Sequence, residues 1–134
     1  MTMETNGKLW EINGISLPLD LSDADVMARY EDAFEAMKHD ETDIPRDGRA
    51  SERIRGYCRM YRNLYDRLFG EGTAARIFDG LPTSSEVYES VYASFLDFVT
   101  AQAEEVARRR AEVFNKYSPS REQKRAAGHG KHKA

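Results

Sequence analysis

The chain has 134 residues, of which 40% are hydrophobic and 32% charged, and its formal net charge is −3 at neutral pH. This length fits one domain with a single modest core, and no apolar run approaches the roughly 20 residues that a membrane span requires. The single cysteine, Cys58, excludes an internal disulfide and is predicted to be buried on a helix.

Charge is distributed unevenly along the chain. Residues 118–134 contain five basic residues against Glu122 alone, a net charge of +4, so residues 1–117 carry a net charge of −7. An acidic body argues against broad nucleic-acid binding, because affinity for phosphates depends on clustered Lys and Arg. The 118–134 tail has no apolar periodicity, so we expect it to be disordered, basic and dispensable for folding.

The first predicted element is a β-hairpin over residues 8–21. Asn13-Gly14 separates two alternating runs, and this dipeptide favours a two-residue turn because both positions adopt positive φ. Pro18 cannot donate to a ladder, which places the second strand at an edge. Since an isolated hairpin is marginal in water, we expect it to pack on the helices; pairing with another chain is the alternative.

Two helices are predicted next. Ser22, with Asp25 three residues later, is a candidate cap for a helix from about Asp23 to about Lys38. The acidic cluster over residues 40–48 lacks the spacing of a calcium loop and is interpreted as a solvated linker.

The second helix is predicted over about 49–69, with one apolar and one basic face. The apolar stripe consists of Ile54, Tyr57, Cys58, Tyr61, Leu64, Tyr65 and Leu68. The basic face consists of Arg53, Arg55, Arg59, Arg62 and Arg67. Because Glu52 and Asp66 interrupt the arginines, we interpret this face as solvated or partner-facing rather than as a phosphate site.

A glycine-rich turn follows this helix. It is predicted to be structural, with Gly70 at positive φ and Thr73 capping a short helix. The residues assigned to this turn are Phe69, Gly70, Gly72, Ile77, Phe78 and Gly80, of which Phe69, Ile77 and Phe78 are expected to be buried. A phosphate-loop interpretation is rejected, because no Lys-Ser/Thr follows the glycines and no strand precedes them.

The last helix is the longest; Ser84 or Ser85 is predicted to cap it, and nothing breaks it before Ser118-Pro119. At about 1.5 Å per residue it would be about 50 Å long, more than the width expected of so small a body. From Ala101 onward we expect the helix to leave the core. The candidate partner-binding residues on this end are Val106, Arg109, Arg110, Val113, Phe114 and Tyr117.

These elements predict a mainly α fold. It comprises an N-terminal β-hairpin, a small bundle of three longer helices and one short helix, a long C-terminal helix, and a disordered tail. A helical domain is assigned to residues 1–117.

Catalytic chemistry is not apparent in the sequence. Of the three histidines, His39 lies beside the acidic linker, while His129 and His132 lie in the tail. None can be placed beside a nucleophile, and nothing supplies the further ligands that a metal site requires. We therefore expect no enzymatic activity, no catalytic residues, no bound metal and no cofactor.

The order of elements resembles a small phage and prophage family from Gram-positive bacteria. The resemblance covers about residues 8–102 and rests on Ile12-Asn13-Gly14 with the run from Leu17 to Asp25, on Tyr30–Ala36, and above all on Leu64–Gly80. That family is similar to the tail assembly chaperones of long-tailed phages, which are mostly helical. Such chaperones bind the tape measure protein and keep it from aggregating while tube subunits polymerise around it.

The resemblance implies a tape measure protein as partner, with the tail tube protein as a further one, in the host bacterial cytoplasm. Self-association is left open, and neither a membrane nor a nucleic acid is expected as partner. A tape measure protein is a long helical chain with an apolar stripe, so its chaperone needs exposed apolar surface. Two alternatives remain: a minor virion or tail-completion protein, and a small phage-encoded inhibitor of a host protein.

Overall fold

The computed structural model describes residues 7–117, and the predicted disordered tail over 118–134 lies outside this range. The fold is mainly α with an N-terminal hairpin, as predicted. In chain order the elements are β1 Leu9–Ile12, β2 Ile15–Pro18, α1 Ala24–Thr42, α2 Ala50–Phe69, α3 Thr73–Ile77 and α4 Ser85–Tyr117. The chain divides into two compact units, residues 1–103 and residues 104–134. Within residues 7–117, no helix combines the length and the hydropathy that crossing a membrane would need.

The hairpin packs on the helices of the first unit, as predicted. β1 and β2 are antiparallel, with Trp10 opposite Leu17, and both of these side chains are buried. The Trp10 ring stacks on Tyr65 at 5.4 Å and meets Phe95 edge-on at 5.1 Å between ring centroids. Its indole nitrogen donates to the Ser94 hydroxyl at 3.1 Å. Trp10 therefore joins the hairpin to both α2 and α4.

The start of α1 differs from the prediction by one residue. Asp23, rather than Ser22, is the cap, and its carboxylate accepts hydrogen bonds from the backbone N–H groups of Asp25 at 2.9 Å and Val26 at 3.2 Å. The Ser22 hydroxyl instead donates to Asp20 at 2.6 Å. A carboxylate is favoured over a hydroxyl at the cap position because its negative charge also interacts with the positive end of the helix dipole.

α1 ends at Thr42, four residues beyond the predicted end at Lys38. The extension includes Asp40, which the sequence pattern predicts to lie in a solvated linker. Its carboxylate accepts from Arg67 on α2 at 2.7 Å, and this hydrogen bond lowers the pKa of Asp40. A tertiary ion pair thus stabilises the last turn of α1, and periodicity alone could not show it.

The buried face of α2 keeps Cys58, Leu64, Tyr65 and Leu68 of the predicted stripe but differs from it nearer the start of the helix. Ile54 and Tyr57 are 38% and 40% exposed, whereas Met60 and Gly56 are buried. A Cβ on Gly56 would lie 3.0 Å from Ile44 Cγ2. The segment between α1 and α2 therefore packs closely on α2 at this glycine.

Most of the predicted basic face of α2 is engaged within the protein. Arg67 pairs with Asp40, and Arg62 donates to the Tyr88 hydroxyl at 3.1 Å. Arg53 donates to backbone carbonyls that precede α2. Arg55 and Arg59 are exposed. These contacts show that the face is mainly a set of tertiary links rather than a free basic surface.

α4 begins at Ser85, and the Ser84 hydroxyl accepts from the Val87 N–H at 3.3 Å. The expectation that the helix leaves the core from Ala101 is wrong by one residue position, because Gln102 is only 4% exposed. Its side-chain oxygen accepts from the Leu21 N–H at 2.6 Å, and its nitrogen donates to the Leu19 carbonyl at 2.7 Å. Gln102 thereby satisfies main-chain groups of Leu19 and Leu21, which follow the hairpin.

Candidate partner-binding surface

The second compact unit presents an apolar face on α4. Over residues 104–117, Val113, Phe114 and Tyr117 are 55%, 63% and 75% exposed, and Val106 is half-buried. At about 3.6 residues per turn, positions 106, 113, 114 and 117 fall on one side of a helix. These four residues, defined here as the apolar face, place the candidate anchors of the sequence analysis side by side.

Charged residues form a distinct pattern around the apolar face. Glu105 makes ion pairs with Arg108 and with Arg109, the latter with 3.0 Å between the Arg109 Nε and the Glu105 carboxylate. The Lys116 ammonium lies 5.5 Å from the ring centroid of Tyr117. The two ion pairs of Glu105 join residues one helical turn apart. Pairs of this kind stabilise an exposed helix by a few tenths of a kcal/mol each. The local charges therefore help to keep this segment helical while its large side chains remain accessible.

The glycine-rich turn has the conformation of a structural element. Gly70, Gly72 and Gly80 have φ values of 115°, 90° and 75°, a region that L side chains rarely adopt. Ile77 and Phe78 are buried, as predicted, whereas Phe69 is only half-buried. No Cβ on any of the three glycines would meet another atom within 4 Å. They are therefore required for their backbone conformation and not for close approach.

The short helix α3 is held by side chains from outside the turn. Its cap position is Gly72 rather than Thr73, which is buried as the first helical residue. The Ala74 N–H is instead bonded to the Asp66 carboxylate of α2 at 2.8 Å. The predicted Thr73 cap is wrong, because the chain reaches α3 in a left-handed conformation that turns the Thr73 side chain inward.

Two ionisable side chains, Cys58 and Tyr65, are buried in the core of the first unit. Burial raises the pKa of the Cys58 thiol, which is 2% exposed, and this agrees with the prediction of a buried cysteine. The Tyr65 hydroxyl is buried without a hydrogen-bond partner among the described residues, and burial raises its pKa far above the ordinary range. Burial therefore favours the neutral form of both groups.

Among residues 7–117, no group of three or more His, Cys, Asp and Glu side chains is arranged to hold a metal ion. His39 is exposed at the end of α1, while His129 and His132 lie outside the described residues.

The chain can be assigned to a protein family from its sequence. It matches the Family of unknown function (DUF6673) over residues 13–128 and belongs to that family. Neither the curated proteins nor the solved structures contain a match to this chain. The matched range includes the glycine-rich turn and the whole of the apolar face.

Proposed function

We propose that this protein is a non-enzymatic phage tail assembly chaperone that binds the tape measure protein through the apolar face of α4. The observation that carries the proposal is the exposure of Val113, Phe114 and Tyr117 by more than half on one helical segment. Large side chains in this arrangement are the anchors of helix-to-helix and helix-in-groove recognition.

The energetics favour an apolar helical partner for this surface. Burying a large apolar side chain stabilises a complex by roughly 1.5–3 kcal/mol relative to leaving it in water. Phe114 and Tyr117 are aromatic and therefore combine large contact areas with few rotatable bonds. An elongated partner with an apolar stripe, which would aggregate if left alone, supplies a complementary surface.

The phage assignment is supported by the resemblance of two segments. Ile12-Asn13-Gly14 and Leu64–Gly80 resemble the tail chaperone-like family, and in this protein the two segments contact each other through the side chain of Asn13. In the proposed role the protein acts in the host bacterial cytoplasm, where tails assemble. The tail tube protein is a further proposed partner, because its subunits polymerise around the tape measure protein.

Co-expression with a neighbouring tape measure protein tests the proposal. The parent chain should keep the tape measure protein in the supernatant and co-purify with it, whereas Val106→Asp combined with Phe114→Asp should abolish co-purification. The matched control is Ile54→Asp with Tyr57→Asp, which adds two carboxylates to exposed apolar positions on α2 and should leave co-purification intact. Circular dichroism should show the same helix content in all variants.

Two outcomes would overturn the proposal. If the parent chain keeps no neighbouring tail protein in solution, it is not a tail chaperone. If it is present in purified particles, it is a virion component instead. A gene located away from the structural cluster would favour the host-directed inhibitor.

A further inference from the structure

The border of the apolar face carries positive charge. Since successive helical residues are rotated by about 100°, Arg110 lies within the apolar face, between Tyr117 and Phe114. Arg109 and Lys116 lie along the edge beside Val113. Glu105 and Glu112 lie beyond Arg109 and Lys116 around the helix, further from the apolar face. A partner that covers the apolar face therefore meets basic groups first.

Part of this positive charge is not neutralised nearby. Glu105 is already engaged by Arg108 and Arg109. In the part of the chain that the structure describes, neither Arg110 nor Lys116 forms an ion pair. Lys116 follows Glu112 by one helical turn, whereas Arg110 has no carboxylate three or four positions away. When a partner covers the apolar face, the charges at its edge need opposite charges on that partner, because like charges placed there cost several kcal/mol.

We infer that the partner of the apolar face is a helix of another protein whose apolar stripe is flanked by Asp and Glu. The inference rests on the proposed function, in which this face binds a helix, and it adds the charge of that helix. Parallel self-pairing through the same face is disfavoured, because it would place Arg110 opposite the Arg110 of a second copy. The basic residues thus act as the specificity element and the apolar residues as the anchors.

Two synthetic helical peptides provide a direct test. Both have the same apolar stripe; one carries Glu and the other Lys at the positions that flank it. Fluorescence anisotropy with the full-length protein should give a Kd for the Glu peptide at least about tenfold lower than for the Lys peptide at low salt. This ratio should shrink at about 0.5 M salt, because screening weakens exposed charge pairs.

Charge reversal on the protein distinguishes an effect of the residues at this face from an effect of net charge. Arg110→Glu with Lys116→Glu should reverse the peptide preference, and it leaves the Glu105–Arg109 ion pair in place. The control is Arg55→Glu with Arg59→Glu, which makes the same change in net charge at exposed positions of α2 and should leave the preference unchanged.

Several results would overturn the inference, and they are distinguishable from failure of the proposed function. Equal affinity for both peptides would refute the charge preference while leaving helix binding in place. Binding of neither peptide would refute helix recognition by this face. Tighter binding to phosphatidylglycerol vesicles than to the Glu peptide, lost in the double charge reversal, would assign the face to an anionic lipid surface. A dimer in sedimentation that is dissociated by Val106→Asp with Phe114→Asp would assign it to self-association.

Discussion

The side-chain amide of Asn13 donates a hydrogen bond to the main-chain carbonyl of Ile77 at 2.9 Å. The same amide donates to the Asp79 carbonyl at 3.0 Å. Asn13 has a φ of 46° in the turn of the hairpin, a conformation that Asn tolerates better than most residues. One residue therefore shapes the first turn of the chain and fastens it to the glycine-rich turn more than sixty positions later.

Removal of these two hydrogen bonds should destabilise the fold. Asn13→Gly keeps the turn conformation but deletes the donor, and should lower the free energy of unfolding by about 1 kcal/mol. Asn13→Asp also tolerates positive φ, but its carboxylate would face two carbonyl oxygens, so it should cost more, about 1–3 kcal/mol. Urea denaturation measures both. Equal stability of Asn13→Asp and the parent would show that only the turn conformation matters.

Gln102 should be a strong determinant of stability despite being polar. Gln102→Leu preserves size but leaves the Leu21 N–H and the Leu19 carbonyl without their partner, at about 1–3 kcal/mol for each unpaired group. Thr100→Leu places a leucine at an exposed position of the same helix and should stay within about 0.5 kcal/mol of the parent. A thermal melt in which the two variants coincide would contradict the role assigned to Gln102.

Phe78 should anchor the glycine-rich turn through its stack on Tyr88. The two rings lie 3.8 Å apart between centroids and are nearly parallel, and Phe78 is 4% exposed. Phe78→Ala removes this buried ring and should cost about 3–5 kcal/mol, measured by chemical denaturation. A variant that unfolds like the parent but no longer retains its partner would make the turn a recognition site instead.

Gly70 allows a test of backbone strain without steric conflict. Its φ of 115° disfavours any L side chain, yet a Cβ built there meets nothing within 4 Å. Gly70→Ala and Gly70→Val should therefore both destabilise the protein by about 1–3 kcal/mol, from the backbone alone. A much larger loss for Val than for Ala in the same denaturation experiment would show that space, and not φ, is limiting.

The Asp40–Arg67 ion pair should make stability depend on pH in the acid range. Because the hydrogen bond from Arg67 lowers the folded-state pKa of Asp40 below its value of 3.8, the stabilisation is complete above that value and is lost as pH falls through the folded pKa. Asp40→Asn should cost about 0.5–1 kcal/mol at pH 7, and this difference should vanish near pH 2. Asp32→Asn, at an exposed position on α1, serves as the control with little effect at either pH. A difference that persists unchanged at low pH would mean that the loss does not arise from the charge of Asp40.

The positions that the sequence determined correctly are those governed by local chemistry. Asn13-Gly14 requires positive φ at two consecutive residues, so the hairpin follows from the dipeptide, and both residues have it. Apolar spacing located the long helices in the same way, and the break at Gly70 located the end of α2. The apolar residues of the candidate surface could be named because the stripe of α4 thins among charged residues, and in the structure Val113, Phe114 and Tyr117 are exposed.

The tertiary structure decided which side chains serve as partners across long distances in the chain. Asp66 caps α3, Gln102 satisfies the backbone after the hairpin, and Asp40 extends α1 through Arg67. Each of these residues is polar, and a polar residue in a sequence gives no indication of whether water or a distant backbone group satisfies it. Local patterns thus place the helices, whereas desolvated polar contacts depend on packing that brings distant residues together.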